Sequence, residues 1–395
     1  MFKIGLYIPG LIICFFAVVV NAQENCSGNI DDKIREGLSP EEVVLLYVLT
    51  DSLLSVTAVD CHCVVGTTIT LNDLFWESLN AYRKKIKSGD LDNFQVYSEL
   101  LYFFLVEPVH EILTDKNRLI IVPDTVLEEI PFEALITDNL PGTEGKSGMP
   151  HFLIHNFEVV YRRAGLLKPE NQTNTLNICP NKPASDRYAF IGFSSGFANQ
   201  GNYCELPGTK AELTAIGSLF RKRGLSSWLV EGAYSKKDYF KEMAGRGDII
   251  HLATHYYNGS DIPCDNGFLF CCKESNDSQY SAKDEILTIE EICNLQCQAD
   301  LVVLNACSSG IERLQTGKYR NLVPEVFLMA GAQNILSTLW NVTDRLTAPF
   351  MVLFYHLLLE GKSYSAALRE AKLQMISHSE TSLPMVWAPY ILTGR

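Results

Sequence analysis

Positive charge is scarce in this chain. Its 33 lysines and arginines face 46 aspartates and glutamates, a formal net charge of -13, which leaves no general basic surface for phosphate backbones or anionic lipids. Nucleic acid is therefore not an expected partner, and the acidic field favours basic polypeptide segments instead. Internal repeats and low-complexity tracts are also missing. With 47% hydrophobic and 20% charged residues, the chain can bury a large core and does not read as disordered. A Cys-x-x-Cys redox motif is absent, and neither Cys61-x-Cys63 nor Cys293-x3-Cys297 has the second, properly spaced pair that a zinc site needs. No metal or cofactor is expected.

What is present begins with a compartment signal. Lys3 precedes an apolar run from Ile4 to Val20, and Val20-Asn21-Ala22 offers small residues for cleavage before Gln23, the pattern of a secretory signal over residues 1–22. An uncleaved anchor is the alternative, because the run approaches the roughly 18 residues that can span a bilayer. No other stretch is long and apolar enough, so a cleaved chain has no expected stable membrane association. Five Asn-x-Ser/Thr sequons, at Asn25, Asn171, Asn258, Asn276 and Asn341, are meaningful in such a secreted glycoprotein. Losing Cys14 with the signal leaves eleven of the 12 cysteines, so one thiol stays unpaired or pairs between chains. The others, Cys61, Cys63, Cys293 and Cys297 among them, are expected in disulfides.

From Ser39 to about Lys87 apolar residues recur three and four apart, as at Val43, Leu46, Val48 and Leu49, with a β-rich interruption at Val64–Leu71, and Leu91–Leu113 continues the helical pattern. Residues 23–116 are thus expected as a mainly helical segment. After it come short apolar runs bounded by turn residues: Arg118–Val122, Tyr188–Gly192, Ser227–Val230, Asp248–His251 and Ala299–Leu304. Helical segments such as Thr209–Arg223 and Ser235–Ala244 alternate with them. The alternation implies an α/β domain over residues 117–395, a mainly parallel sheet with helices on both faces. Asn334–Trp340 reads as a further strand between the helices Val323–Gly331 and Thr347–Gly361, and Ser363–Ser377 as a last helix. The stretch from Cys264 to Glu285 reads as an external insertion.

Two strand ends carry chemistry. Ile249-Ile250-His251-Leu252-Ala253-Thr254-His255 finishes in histidine, and Leu301-Val-Val-Leu-Asn-Ala-Cys307-Ser-Ser-Gly310 finishes in cysteine and a small-residue turn. In open parallel sheets, ligands collect beyond the C-terminal strand ends, so both side chains would emerge at one edge. A thiol of ordinary pKa is little ionised at neutral pH, and a neighbouring imidazole raises the thiolate fraction and later protonates the leaving amine. Each residue alone reads as a buried core group; the pairing gives the functional reading. His251 lies inside its strand and is expected to be structural, whereas His255 sits at the exit.

These motifs resemble those of CHAT-domain peptidases, relatives of separase and the caspases. The resemblance extends to Pro131-Phe132-x-x-Leu135, to Leu206-Pro-Gly-Thr-Lys-Ala-Glu212, to Ala330-Gly331-Ala332, to Leu339-Trp340-Asn341-Val342-Thr343-Asp344, and to Phe354-Tyr355 with Ala366, Leu368 and Ala371. It implies a caspase-like fold and peptide-bond hydrolysis through an acyl-enzyme, with Cys307 as nucleophile and His255 as general base. It also implies that Asp344 lines a pocket for a basic residue before the scissile bond, a carboxylate suited to bidentate pairing with arginine. A helix cap is the structural alternative for Asp344. Backbone N–H groups of Tyr256 and Cys307 would hold the oxyanion. Tyr256 departs from the family, which usually has glycine there, and this raises a second possibility, an inactive caspase-like domain that binds a protein partner.

Overall fold

The structure is a computed structural model that describes residues 34–137, 150–163, 187–194, 207–257, 266–270, 285–305 and 322–394, with short backbone strands at 5–8, 11–14, 20–24, 312–313 and 319–320. The cleavage motif aside, most of the expected signal segment lies outside the described residues, as do Cys307 and the sequons at Asn25, Asn171, Asn258 and Asn276. The chain divides into two compact units.

The first unit holds the described residues up to Leu127 together with Phe132–Phe157. It opens with strands β1 (Glu42–Leu49), β2 (Leu53–Val59) and β3 (Val64–Thr70). Helices α1 (Asp73–Ser88) and α2 (Leu91–Leu105) follow, then β4 (Arg118–Val122). β1 pairs antiparallel with β2 and parallel with β4, and β2 pairs antiparallel with β3. The helical expectation for the β1–β2 segment is corrected here. Val43, Val44 and Leu45 are consecutive and all buried, as in a strand covered on both faces, and such a run cannot be told from a helix by apolar spacing alone. The helical pattern holds from Asp73 on, where Asn72 accepts from the Phe75 N–H and Gly89 closes α1 at φ 72°. Phe94, Tyr102 and Phe104 of α2 are buried, with the Phe104 ring 5.3 Å from Phe75.

The second unit contains β5 (Glu158–Arg162), β6 (Tyr188–Ser194), α3 (Pro207–Lys222), β7 (Ser227–Glu231), α4 (Lys237–Met243) and β8 (Gly247–Ala253). Next come β9 (His255–Tyr257), β10 (Gly267–Leu269), β11 (Ile286–Thr288), α5 (Ile289–Cys293) and β12 (Leu301–Asn305). The unit ends with α6 (Leu322–Met329), β13 (Asn334–Thr338), α7 (Asp344–Leu359), α8 (Tyr364–Ile376), α9 (Pro384–Trp387) and β14 (Tyr390–Gly394). Its main sheet runs β7-β6-β8-β12-β13-β14-β5, with every pairing parallel except β13 with β14.

Alternation along β8 shows why helices cover both faces. Ile250 and Leu252 enter a core with Phe240 of α4, Ile292 of α5 and Phe327 of α6. On the opposite face, His251 and Phe190 meet the ring of Tyr355 on α7, and Phe190 also stacks on Phe220 of α3. The expected mixed α/β, mainly parallel architecture is therefore observed.

Two local expectations are corrected. Within the segment read as an external insertion, Gly267–Leu269 is a buried strand, with Phe268 and Phe270 both in the core; its apolar residues outweigh the polar surroundings that suggested a loop. Cys61, Cys63 and Cys297 are free thiols, so neither Cys61-x-Cys63 nor Cys293-x3-Cys297 closes a bridge.

Gly331 carries a sharp backbone demand. It follows α6 at φ 121°, and an added Cβ would stand 2.2 Å from the Cys297 carbonyl oxygen, a backbone atom whose neighbouring N–H is bonded to the Ala330 carbonyl. Gly331→Ala is expected to cost about 3 to 4 kcal/mol, the sum of a strained φ and an overpacked contact. Chemical denaturation of both proteins measures it, and an unchanged midpoint would mean that this turn relaxes freely.

Candidate active site

The candidate site is built by three neighbouring parallel strands. β8 and β12 pair from Ile249↔Leu301 to Ala253↔Asn305, and β12 pairs with β13 from Leu301↔Asn334 to Val303↔Leu336. All three strands therefore end at the same edge of the sheet. His255 comes two residues after Ala253, and Cys307, outside the described residues, comes two residues after Asn305 in the chain. Histidine and cysteine thus follow paired positions of adjacent strands by the same number of residues.

His255 leaves the main sheet and opens β9, opposite Leu269 of β10. The buried Thr254 makes the turn, its hydroxyl donating to the Leu269 carbonyl. His255 is half-buried, which suits a group that must exchange protons with a substrate. Tyr256 pairs with Phe268 in an extended ladder, its ring buried and edge-on to Phe268 at 5.2 Å. Among the described residues Asp115 alone is a non-glycine at positive φ, so tyrosine meets no left-handed strain at this position.

Asp344 is the first residue of α7, and Thr343, with φ -66° and ψ 138°, occupies the cap position. The helix therefore starts before Thr347, and Asp344 lies in its first turn rather than at its cap. The segment before it is anchored by Trp340, whose indole N–H donates to the Met385 carbonyl at 2.9 Å. The sequon at Asn341 is exposed.

Beneath the strand ends lies a polar cluster to which sequence reasoning assigned no role. His251 is fully buried, in keeping with a structural residue, and its Nδ1 stands 3.1 Å from the Tyr355 hydroxyl. Burial, with Glu212 and Tyr364 nearby, pushes the Tyr355 phenol well above its ordinary pKa. The phenol therefore stays protonated, and its hydroxyl shares a hydrogen bond with Nδ1. The other ring nitrogen, Nε2, stands 3.2 Å from Glu212 Oε1, a close polar contact without good hydrogen-bond alignment. Both Glu212 oxygens accept from the Asn305 amide, each at 3.0 Å. The signal in the sequence was a charged residue within an apolar helical stripe: Thr209, Glu212, Leu213, Ile216 and Phe220 form the buried face of α3.

Two of the described thiols, Cys63 and Cys297, are poor nucleophiles. Burial raises Cys297, and burial together with the Asp60 charge raises Cys63, opposite to the shift an attacking thiolate requires.

A parallel α/β sheet with a histidine at one strand exit defines a sheet-edge candidate site of the kind open α/β folds carry. The CHAT domain family model matches residues 95–395, and this chain belongs to that family. Tetratricopeptide repeat protein 28 of Homo sapiens is 35% identical over 109 residues, and that of Mus musculus 33% over 112. Each match takes in 28% of this chain and 4% of the relative, so the chain spans only a small part of the length of these curated relatives. Among solved structures, the Saccharomyces cerevisiae separase–securin complex is similar with a TM-score of 0.49 and 11% identity, over 92% of this chain and 30% of that one. The Arg-specific cysteine proteinase gingipain R gives 0.44 and 11%, over 77% and 67%.

Proposed function

We propose that this chain is a secreted cysteine endopeptidase that cleaves polypeptides after Arg or Lys. The observation that carries the reading is the register of β8 and β12, from which His255 and Cys307 follow paired positions by equal lengths of chain. His255 takes the Cys307 thiol proton, and the thiolate attacks the scissile carbonyl carbon. The N–H groups of Tyr256 and Cys307 hold the oxyanion. Collapse expels the amine, which receives the proton from His255, and water then hydrolyses the thioester with His255 as base. Asp344 supplies the charge that holds a guanidinium or ammonium group. Lys3, the apolar run that follows it and Ala22 support secretion.

Peptides carrying Arg, Lys or a neutral residue before the cut, offered to the wild type and to Cys307→Ala, test the activity. Cleavage by the wild type alone is expected. Mass mapping of a nonreduced digest is expected to find Cys307 as a free thiol, and Cys307 in a native disulfide would remove the peptidase reading. The second reading, an inactive domain that binds a protein partner, is favoured by the bulk of Tyr256 where the family usually has glycine; a folded wild type that cleaves none of the peptides would support it.

A further inference from the structure

The carboxylate of Glu212 is buried on the inward face of α3, where an apolar residue would continue the stripe. Burying such a charge costs several kcal/mol unless its lone pairs are occupied. Its partners among the described residues are not a lysine or an arginine. They are the amide of Asn305, on both oxygens, and the ring of His251. Asn305 is the last residue of β12, paired across to Ala253, and His251 lies two residues earlier on the neighbouring strand β8. One side chain therefore bridges diagonal neighbours on two adjacent strands. Each strand ends two residues before a member of the proposed catalytic pair.

We propose that Glu212 is a positioning residue for the Cys307 nucleophile: through Asn305 it fixes the end of β12, and through His251 it ties that end to the strand that leads to His255. The inference rests on reading Cys307 and His255 as a catalytic pair. An apolar residue on α3 could fill the same space, but it could not hold an amide in one orientation. Displacements of about 1 Å in catalytic geometry cost on the order of 100-fold in rate, so the tie acts on turnover more than on substrate affinity.

The test compares wild type, Glu212→Gln, Asn305→Asp and the double variant that exchanges the two groups, each as the full chain. One readout is kcat and KM on an Arg peptide. The other is the iodoacetamide alkylation rate of Cys307, read by mass spectrometry against Cys61 as an internal reference. Glu212→Gln is expected to lower kcat about 10- to 100-fold with KM within about threefold, and to slow Cys307 alkylation about tenfold. Asn305→Asp sets two carboxylates against each other and is expected to be as poor or worse. The exchanged pair restores a donor opposite a carboxylate and is expected to recover both readouts to within about threefold of the wild type. If Glu212→Gln fails to fold, Asn305→Ala gives the same two readings.

Kinetics and alkylation within twofold of the wild type in Glu212→Gln would overturn the proposal, as would a loss confined to KM or a double variant no better than the single ones. Alkylation needs no substrate, which separates the two ideas. A wild type that cleaves nothing while alkylation still depends on Glu212 sinks the peptidase reading and leaves the positioning role standing. Cys307-dependent cleavage with Glu212-independent alkylation sinks the positioning role alone.

Discussion

Replacing His255 with alanine is expected to lower kcat on Arg peptides by about 10³-fold or more and to leave the melting temperature nearly unchanged. The loss follows from the two proton transfers that the imidazole performs, each typically worth about 10²- to 10⁴-fold, and from the collective behaviour of nucleophile and base. The small stability effect follows from its half-buried place at the start of β9. His251→Ala is expected to do the reverse. That ring is fully buried between Tyr355 and Glu212, and removing it leaves buried polar groups short of a partner, which typically costs about 1 to 3 kcal/mol. Asn305 still occupies the Glu212 carboxylate in that variant, so the part of the protein that remains folded keeps substantial Cys307-dependent turnover. Denaturation midpoints and single-turnover rates on both variants separate these effects. A stable but inactive His251→Ala beside an active His255→Ala would reverse the assignment of the base.

The parallel sheet was readable because strands buried on both faces are short apolar runs with turns at their ends, and Asp248–His251 and Ala299–Leu304 each fall on a strand of the structure. The same property hid β1. Val43, Val44 and Leu45 are buried from both sides, so the run lacks the alternation of a one-sided strand, and Ser39-Pro40-Glu41-Glu42 before it carries the Ser-x-x-Glu pattern of a helix start. Gly267–Leu269 was hidden differently: three residues are too few for a pattern, and the cysteines and the sequon around them suggested a surface loop. His255 and His251 could be told apart because one ends a strand and the other lies within it. Glu212, Asn305 and Tyr355 each stood in a stretch that resembles the family, yet their joint role depends on α3, β12 and α7 meeting over one face of β8. Contacts between residues 93 and 104 positions apart in the chain leave no local trace in a sequence.

Asp344→Asn is expected to lower kcat/KM for Arg peptides by roughly 10- to 100-fold, since a charge-assisted hydrogen bond to a guanidinium typically contributes about 1.5 to 3 kcal/mol. Arg is expected to outperform Lys on the wild type, because only the planar fork meets a carboxylate at two points. The structure sharpens the alternative. With Thr343 at the cap and Asp344 in the first turn of α7, a purely structural carboxylate interacts with the helix dipole, an effect of about 0.3 to 1 kcal/mol. That reading makes Asp344→Asn slightly less stable, with the preference for Arg over neutral peptides intact. The pocket reading makes the Arg preference collapse while cleavage of neutral peptides persists. Rates on Arg, Lys and neutral peptides for both proteins distinguish the two, and an Arg preference that survives the mutation would mean that another acid in this chain holds the basic side chain.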